Sequence, residues 1–198
     1  MVYNPGQFSV VFPLVKRPPT WLLLGGPADA DEAQTAVKQW PDIKVLGVEP
    51  SKAMYEYQLA HDWPGSLLLQ CALGSSVGQG QIHISGDTPR CSSFVADHPG
   101  ELHTVDITTL DVLDEIHGPF ENAILWLDVE GSEYEALLGA RKLFDRGAIA
   151  MVNVECLVRL QELFVPIEKF LADYKFHLVH TWNIQHNFVS DRIYMPAN

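Results

Sequence analysis

Residues 123–131 read Ala-Ile-Leu-Trp-Leu-Asp-Val-Glu-Gly, a run of five apolar residues that ends in two acids and a glycine. Carboxylates so placed can take a proton from a bound hydroxyl, orient it, or gather a divalent cation through oxygen ligands. The short apolar run predicts a strand covered on both faces, and Asp128 and Glu130 fall where that strand leaves the sheet. In an open α/β sheet the crevice beyond the carboxyl ends of the strands is where ligands sit. Glu49 ends the run Lys44–Val48 and Glu155 ends the run Ala148–Val154, so strand-terminal acids occur three times on one edge. The plainer alternative is that Asp128 and Glu130 only orient the next helix. Ser132 would be its N-cap and Glu135, three residues on, would close a capping box.

The elements that must position these acids follow in chain order. Residues 1–19 read as an appendage, with a short strand at Val10–Phe12, and residues 20–198 as one domain. Trp21–Leu24 predicts the first core strand, which runs into Gly25-Gly26. Asp31–Trp40 has helical spacing with Ala33, Val37 and Trp40 on one side. Lys44–Val48 is the second strand, and Ser51 caps a helix from Lys52 to about His61. Ser66–Ala72 reads as a third strand and Gln79–Ser85 as an edge or hairpin strand. Residues 86–104 read as a loop over the crevice that holds Arg90, His98 and His103. A short helix follows Thr108-Thr109 with Val112, Leu113 and Ile116 inward, and Gly118-Pro119 stops it. After the central strand, a helix is expected from Glu133 to Asp145. A helix over Leu157–Tyr174 should break at Pro166, and two final strands, Phe176–Trp182 and Phe188–Met195, should pair.

Composition narrows the function. The 198 residues are 47% hydrophobic and 19% charged, an ordinary globular balance. A net charge of −12 argues against binding a nucleic-acid backbone, which needs a basic surface. No run approaches a membrane span, and the first residues lack the basic and apolar regions of a secretory leader. Cys71, Cys91 and Cys156 form no disulfide framework or zinc spacing, so a reducing cytoplasm is the expected compartment.

A glycine turn at Gly25-Gly26 followed about 23 residues later by strand-terminal Glu49 fits a βαβ unit in which a nucleotide approaches the backbone and an acid accepts from its ribose. Thr109-Leu110-Asp111, Asp128-Val129-Glu130-Gly131-Ser132-Glu133, Leu138-Gly139-Ala140 and Val154-Glu155, with Val48-Glu49-Pro50 and Ala72-Leu73-Gly74 upstream, resemble the FkbM-type methyltransferases. The resemblance spans about residues 20–195. It implies an S-adenosylmethionine-dependent enzyme with a Rossmann-like methyltransferase fold. Such a fold is a single α/β domain, a mostly parallel seven-stranded sheet with helices on both faces and an antiparallel strand near the C-terminus. The implied reaction is methyl transfer to a hydroxyl of a small molecule or glycan. By the same resemblance Gly25, Gly26, Glu49, Pro50, Ala72, Leu73 and Asp128 would hold the cofactor. Asp128 would act at the reacting end with Glu130, and Glu155 and His180 on the acceptor side. Asp128, Glu130 and Glu155 could instead gather a divalent cation through oxygen ligands, and the spacing does not separate that role from direct base chemistry. Two positions depart from the pattern: Leu23 stands where the family's first strand carries an acid, and Asp29 where it carries a third glycine. A non-catalytic nucleotide-binding module is therefore the second reading. A nicotinamide oxidoreductase is the third, and it lacks the Gly-x-Gly-x-x-Gly turn.

Overall fold

The computed structural model describes residues 13–27, 30–61, 63–84, 92–93, 100–157, 164–184 and 189–197. Its centre is a seven-stranded sheet. In chain order the strands are β1 (Trp21–Gly25), β2 (Lys44–Val48), β3 (Leu67–Leu69), β8 (Ala123–Leu127), β9 (Ile149–Leu157), β10 (Phe176–Ile184) and β11 (Val189–Pro196). Their spatial order is β10-β11-β9-β8-β1-β2-β3. All neighbouring pairs are parallel except those of β11, which runs antiparallel to both β9 and β10. This is the expected α/β fold with its antiparallel strand near the C-terminus.

Strand alternation divides the core in two. Leu22, Leu24, Val45, Ile124, Trp126 and Met151 pack on one face with Ala33 and Ala36 of helix α1 (Asp31–Gln39). Trp21, Leu23, Leu46, Leu125, Leu127 and Val152 pack on the other. There they meet helices α3 (Leu110–His117), α4 (Glu133–Leu138), α5 (Arg141–Asp145) and α6 (Phe164–Asp173). Because both faces of β1 and β8 are covered, their sequences are apolar throughout. Helix α2 (Lys52–Ala60) is capped as expected, with Ser51 Oγ accepting from Met54 N–H. Among the described residues no helix is long and apolar enough to cross a membrane.

Several expectations needed correction. A second, four-stranded sheet, β4-β7-β5-β6, was not expected. It consists of β4 (Ala72–Leu73), β5 (Gly78–Ile84), β6 (Ser92–Ser93) and β7 (Glu101–Thr108). The run Ser66–Ala72 is thus two strands: β3 pairs with β2, and the chain then crosses so that β4 pairs with β7. The C-terminal part of the expected loop 86–104 is strand from Glu101 on. Strand β7 is largely exposed and is held by its backbone ladder to β5, so no apolar alternation marked it. Val10–Phe12, Asp29, Arg90 and His98 lie outside the described residues.

The expected helix 133–145 is two helices, broken at Gly139-Ala140. The break lets Asp111 reach both sides. Its N–H donates to Gly139 O, and its carboxylate accepts from the N–H groups of Lys142 and Leu143 at the start of α5. In α3, Thr109 caps by accepting from Val112 N–H, and Leu110 and Leu113 turn inward. Ile116, about 120° round the helix from Leu110 at 100° per residue, lies at the edge of the buried face and is exposed. Pro166 breaks nothing, because α6 begins at Phe164 and the proline sits in the first turn, where no backbone donor is needed.

One glycine closes the frame. Gly26 has φ +72°, and a Cβ there would lie 1.9 Å from the Asp128 carbonyl oxygen. Gly26→Ala therefore combines backbone strain with a backbone clash and is expected to cost about 2 kcal/mol or more. Thermal denaturation should show Tm lowered by about 4–8 °C. An unchanged Tm would mean that the two strand ends are not held this close.

Candidate functional site

The register of the ladder places the acids. Gly25 lies opposite both Val48 and Leu127, Leu127 opposite Val154, and Asp191 opposite Glu155. One residue further on, Glu49, Gly26, Asp128, Glu155 and Asp191 form one row along the carboxyl edge of the sheet. A cleft of about 450 Å³, its open mouth included, lies over this row. It is lined by Gly26, Glu49, Pro50, Asp128, Glu130 and Ser132, and by the apolar side chains of Val48, Ala72, Leu73, Ile82 and Val129.

Seven of the ten expected site residues thus share one cleft. Gly25 does not line it: a Cβ there would press on Val129, Leu73 and Leu127 at 2.9–3.2 Å, so this glycine serves the packing beneath. Glu155 stands beside Asp128 behind the cleft wall. His180 is not brought in. It lies on β10, with β11 between it and β9, and its ring meets Trp182 edge-on at 4.9 Å. Leu23 is fully buried among the core residues, so β1 supplies no acid to the cleft.

Glu49 is almost entirely buried, and its Oε1 accepts from Ser51 N–H at 2.8 Å. Burial pushes its carboxyl up to about 7, and the Ser51 bond offsets only part of that. Asp128 keeps some surface at the cleft, but its carboxyl is enclosed by protein. Burial, and then the neighbouring charge of Glu155, raise it well above the usual carboxylate range. Burial takes Glu155 to about 8, partly offset by a hydrogen bond from Asp128, and that bond requires a proton between the two carboxyls.

The turn after β8 is held by a residue whose role the sequence reading missed. Ser132 makes no capping bond. Instead Glu133 Oε1 accepts from the N–H groups of Val129 and Gly131, each at 3.1 Å. Between them Glu130 takes the left-handed conformation with φ +50°, and its carbonyl accepts from Ser93 Oγ of the second sheet at 2.5 Å. Glu133 is itself buried, and burial raises its carboxyl to about 7 against three backbone bonds that lower it. The second acid of Glu130-Gly131-Ser132-Glu133 was the available signal, since a carboxylate at a helix start commonly accepts backbone N–H groups. Ile82 and Asp191 also join the site only through tertiary structure, the first by way of the second sheet and the second by way of the antiparallel strand.

Comparison with known proteins adds the following. The profile described as "Methyltransferase FkbM domain" matches residues 26–178. No curated protein matches the chain by sequence. Among solved structures, precorrin-6y C5,15-methyltransferase from Geobacter metallireducens GS-15 superposes with TM-score 0.56 at 10% identity, covering 99% of this chain and 90% of that one. A fibrillarin pre-rRNA processing protein of Methanococcus jannaschii gives 0.55 at 9% identity, covering 90% and 67%. An uncharacterized protein from Listeria monocytogenes serotype 4b gives 0.53 at 7% identity, covering 98% and 69%. At such identities the likeness is one of fold.

The raised carboxyls predict how stability depends on pH. From about 4.5, the ordinary value, up to about 7, folded Glu49 and Glu133 hold protons that the unfolded chain has released. Stability therefore falls as pH rises through that window, and Glu155, raised to about 8, extends the fall beyond it. At about 1.4 kcal/mol per unit, each group contributes about 1–3 kcal/mol to the fall. Tm should be lower at about pH 7.5 than at about pH 5.5, and Glu49→Gln should flatten the slope. A Tm that rises across this window would contradict the burial of these groups.

Proposed function

The chain belongs to the FkbM methyltransferase family, S-adenosylmethionine-dependent enzymes, and from that premise we propose that it methylates a hydroxyl oxygen of a small molecule or sugar. The observation that carries this reading is the shared cleft, with Glu49 at one end and Asp128 at the other.

The cleft suits the cofactor. Its walls join an apolar side to a few convergent polar groups, the usual character of a small-molecule site. When bound, S-adenosylmethionine supplies an electrophilic methyl group on a sulfonium. Glu49 stands at the end of β2, where its carboxylate accepts from the ribose hydroxyls. Val48, Pro50, Ala72, Leu73 and Ile82 offer an apolar slot for a planar base. Gly26 brings the backbone of the β1 turn close beside them. Asp128 orients the acceptor hydroxyl and receives its proton, and Glu130 borders the same mouth. Such a reaction depends mainly on alignment of the reacting atoms and removal of the acceptor proton. The net charge of −12 favours a neutral or cationic acceptor over a nucleic acid.

The buried Leu23 favours a second reading, a module that binds the nucleotide without turnover, because β1 brings no acid to the methionine end of the cleft.

Calorimetric titration with S-adenosylmethionine and S-adenosylhomocysteine, beside NAD as a control, separates the readings. Charged hydrogen bonds are worth about 1.5–3 kcal/mol each, so Glu49→Ala should weaken both sulfur ligands about tenfold or more. Binding that ignores this change would remove Glu49 from the cofactor site. With labelled S-adenosylmethionine and a panel of sugars and small alcohols, Asp128→Asn should leave the circular dichroism spectrum intact. It should lower turnover about 100-fold. Cofactor binding with no methylated product across the panel would favour the non-catalytic module.

A further inference from the structure

Behind the cleft floor lies a polar group that methyl transfer leaves unused. Asn153 is wholly buried, two residues before Glu155 and on the same face of β9. Its Nδ2 donates to Asp191 Oδ1 at 3.3 Å, which turns the amide toward the row of acids. Its Oδ1 has no hydrogen-bond partner. A buried carbonyl oxygen left without a partner loses its hydration with nothing in return. Ionised carboxylates accept and do not donate, so once the neighbouring acids have lost their protons they cannot satisfy it.

A cation would. Carboxylate oxygens of Asp128, Glu130 and Glu155 all lie within 4.8 Å of one another. Calcium holds its oxygen ligands at about 2.3–2.6 Å, so ligands on opposite sides of the ion stand up to about 5 Å apart. Magnesium, at about 2.0–2.1 Å, would draw the same oxygens closer together. The donors are all hard oxygens, three carboxylates and one amide carbonyl, with no sulfur or imidazole among them. That set selects calcium, magnesium or manganese over zinc or copper.

We propose that the cleft floor is a binding site for a divalent cation, held by Asp128, Glu130 and Glu155 with Asn153 Oδ1 as a neutral ligand. The ion lies at the reacting edge, where an acceptor hydroxyl can complete its coordination, a role that rests on the methyl-transfer reading. With the ion bound, Asp128 serves as a ligand as well as an orienting group. The ion site itself stands apart from the Glu49 end of the cleft, and either can fail without the other.

The test uses the full chain stripped of metal with a chelator. Calcium and magnesium chlorides are titrated calorimetrically, and manganese is followed by electron paramagnetic resonance. The wild type should bind one ion per chain, calcium more tightly than magnesium. Glu155→Gln should weaken binding about tenfold or more. Asn153→Leu removes the orphan oxygen for an apolar side chain of similar size, so it should weaken binding several-fold while Tm holds or rises. It keeps the test informative should Glu155→Gln fold poorly. Glu49→Ala should leave ion binding unchanged while it weakens S-adenosylhomocysteine. No saturable binding up to about 10 mM ion would overturn the site. So would binding that both the Glu155 and Asn153 variants leave untouched, since the ion would then sit elsewhere on the acidic surface. S-adenosylhomocysteine binding without ion binding defeats this inference alone. Ion binding without binding of either sulfur ligand defeats the methyl-transfer reading alone.

Discussion

A single row of the parallel ladder governs this protein. Because Gly25 pairs with Val48 on one side and Leu127 on the other, the next residues of three strands, Glu49, Gly26 and Asp128, must emerge side by side. Glu155 and Asp191 extend the row across β9 and β11. A slip of one residue in any strand would move its acid to the opposite face of the sheet. The buried apolar layers on both faces forbid that slip, so the core that stabilises the fold also aligns the site.

The row concentrates carboxyls where water is scarce, and the local structure shows what that requires. Glu133 takes the two N–H groups of the turn after β8, Ser93 takes up its strained carbonyl, and Gly26 leaves room for the Asp128 carbonyl beside it. The turn that presents Asp128 and Glu130 is thereby tied from the helix below and from the second sheet above. Elsewhere the same economy recurs: Asp111 joins two helices through three backbone bonds, and a Cβ at Gly139 would fall 2.1 Å from the Gly74 carbonyl. The residues between the acids are therefore scaffold for the cleft. Their types follow from backbone groups that lack partners within their own helices or strands.

The amino-acid sequence by itself determined the elements whose signals are local. The apolar runs of β1, β2, β8 and β9 stood out because each is covered on both faces, and the acids that end them mark the exposed edge. The cap at Ser51 was legible for the same reason, a side chain acting within its own turn. The approach of Glu49, Gly26 and Asp128 to one cleft followed from the strand ends alone.

Tertiary structure decided whatever depended on partners distant in sequence. Strand β7 has no buried face, and only its ladder to β5 makes it a strand, so the second sheet and the placement of Ile82 and Ser93 left no periodic trace. His180 lies on the edge strand, two strands from the cluster it was expected to serve, because strand order cannot be read from spacing along the chain. Asp191 and Asn153 come together across an antiparallel pair separated by 38 residues, a contact that neither residue announces. Glu133 prevailed over Ser132 at the start of α4 because the tight turn before it faced two N–H groups toward a carboxylate already buried there. Local chemistry named the acids; the register and the crossings of the chain determined which of them meet.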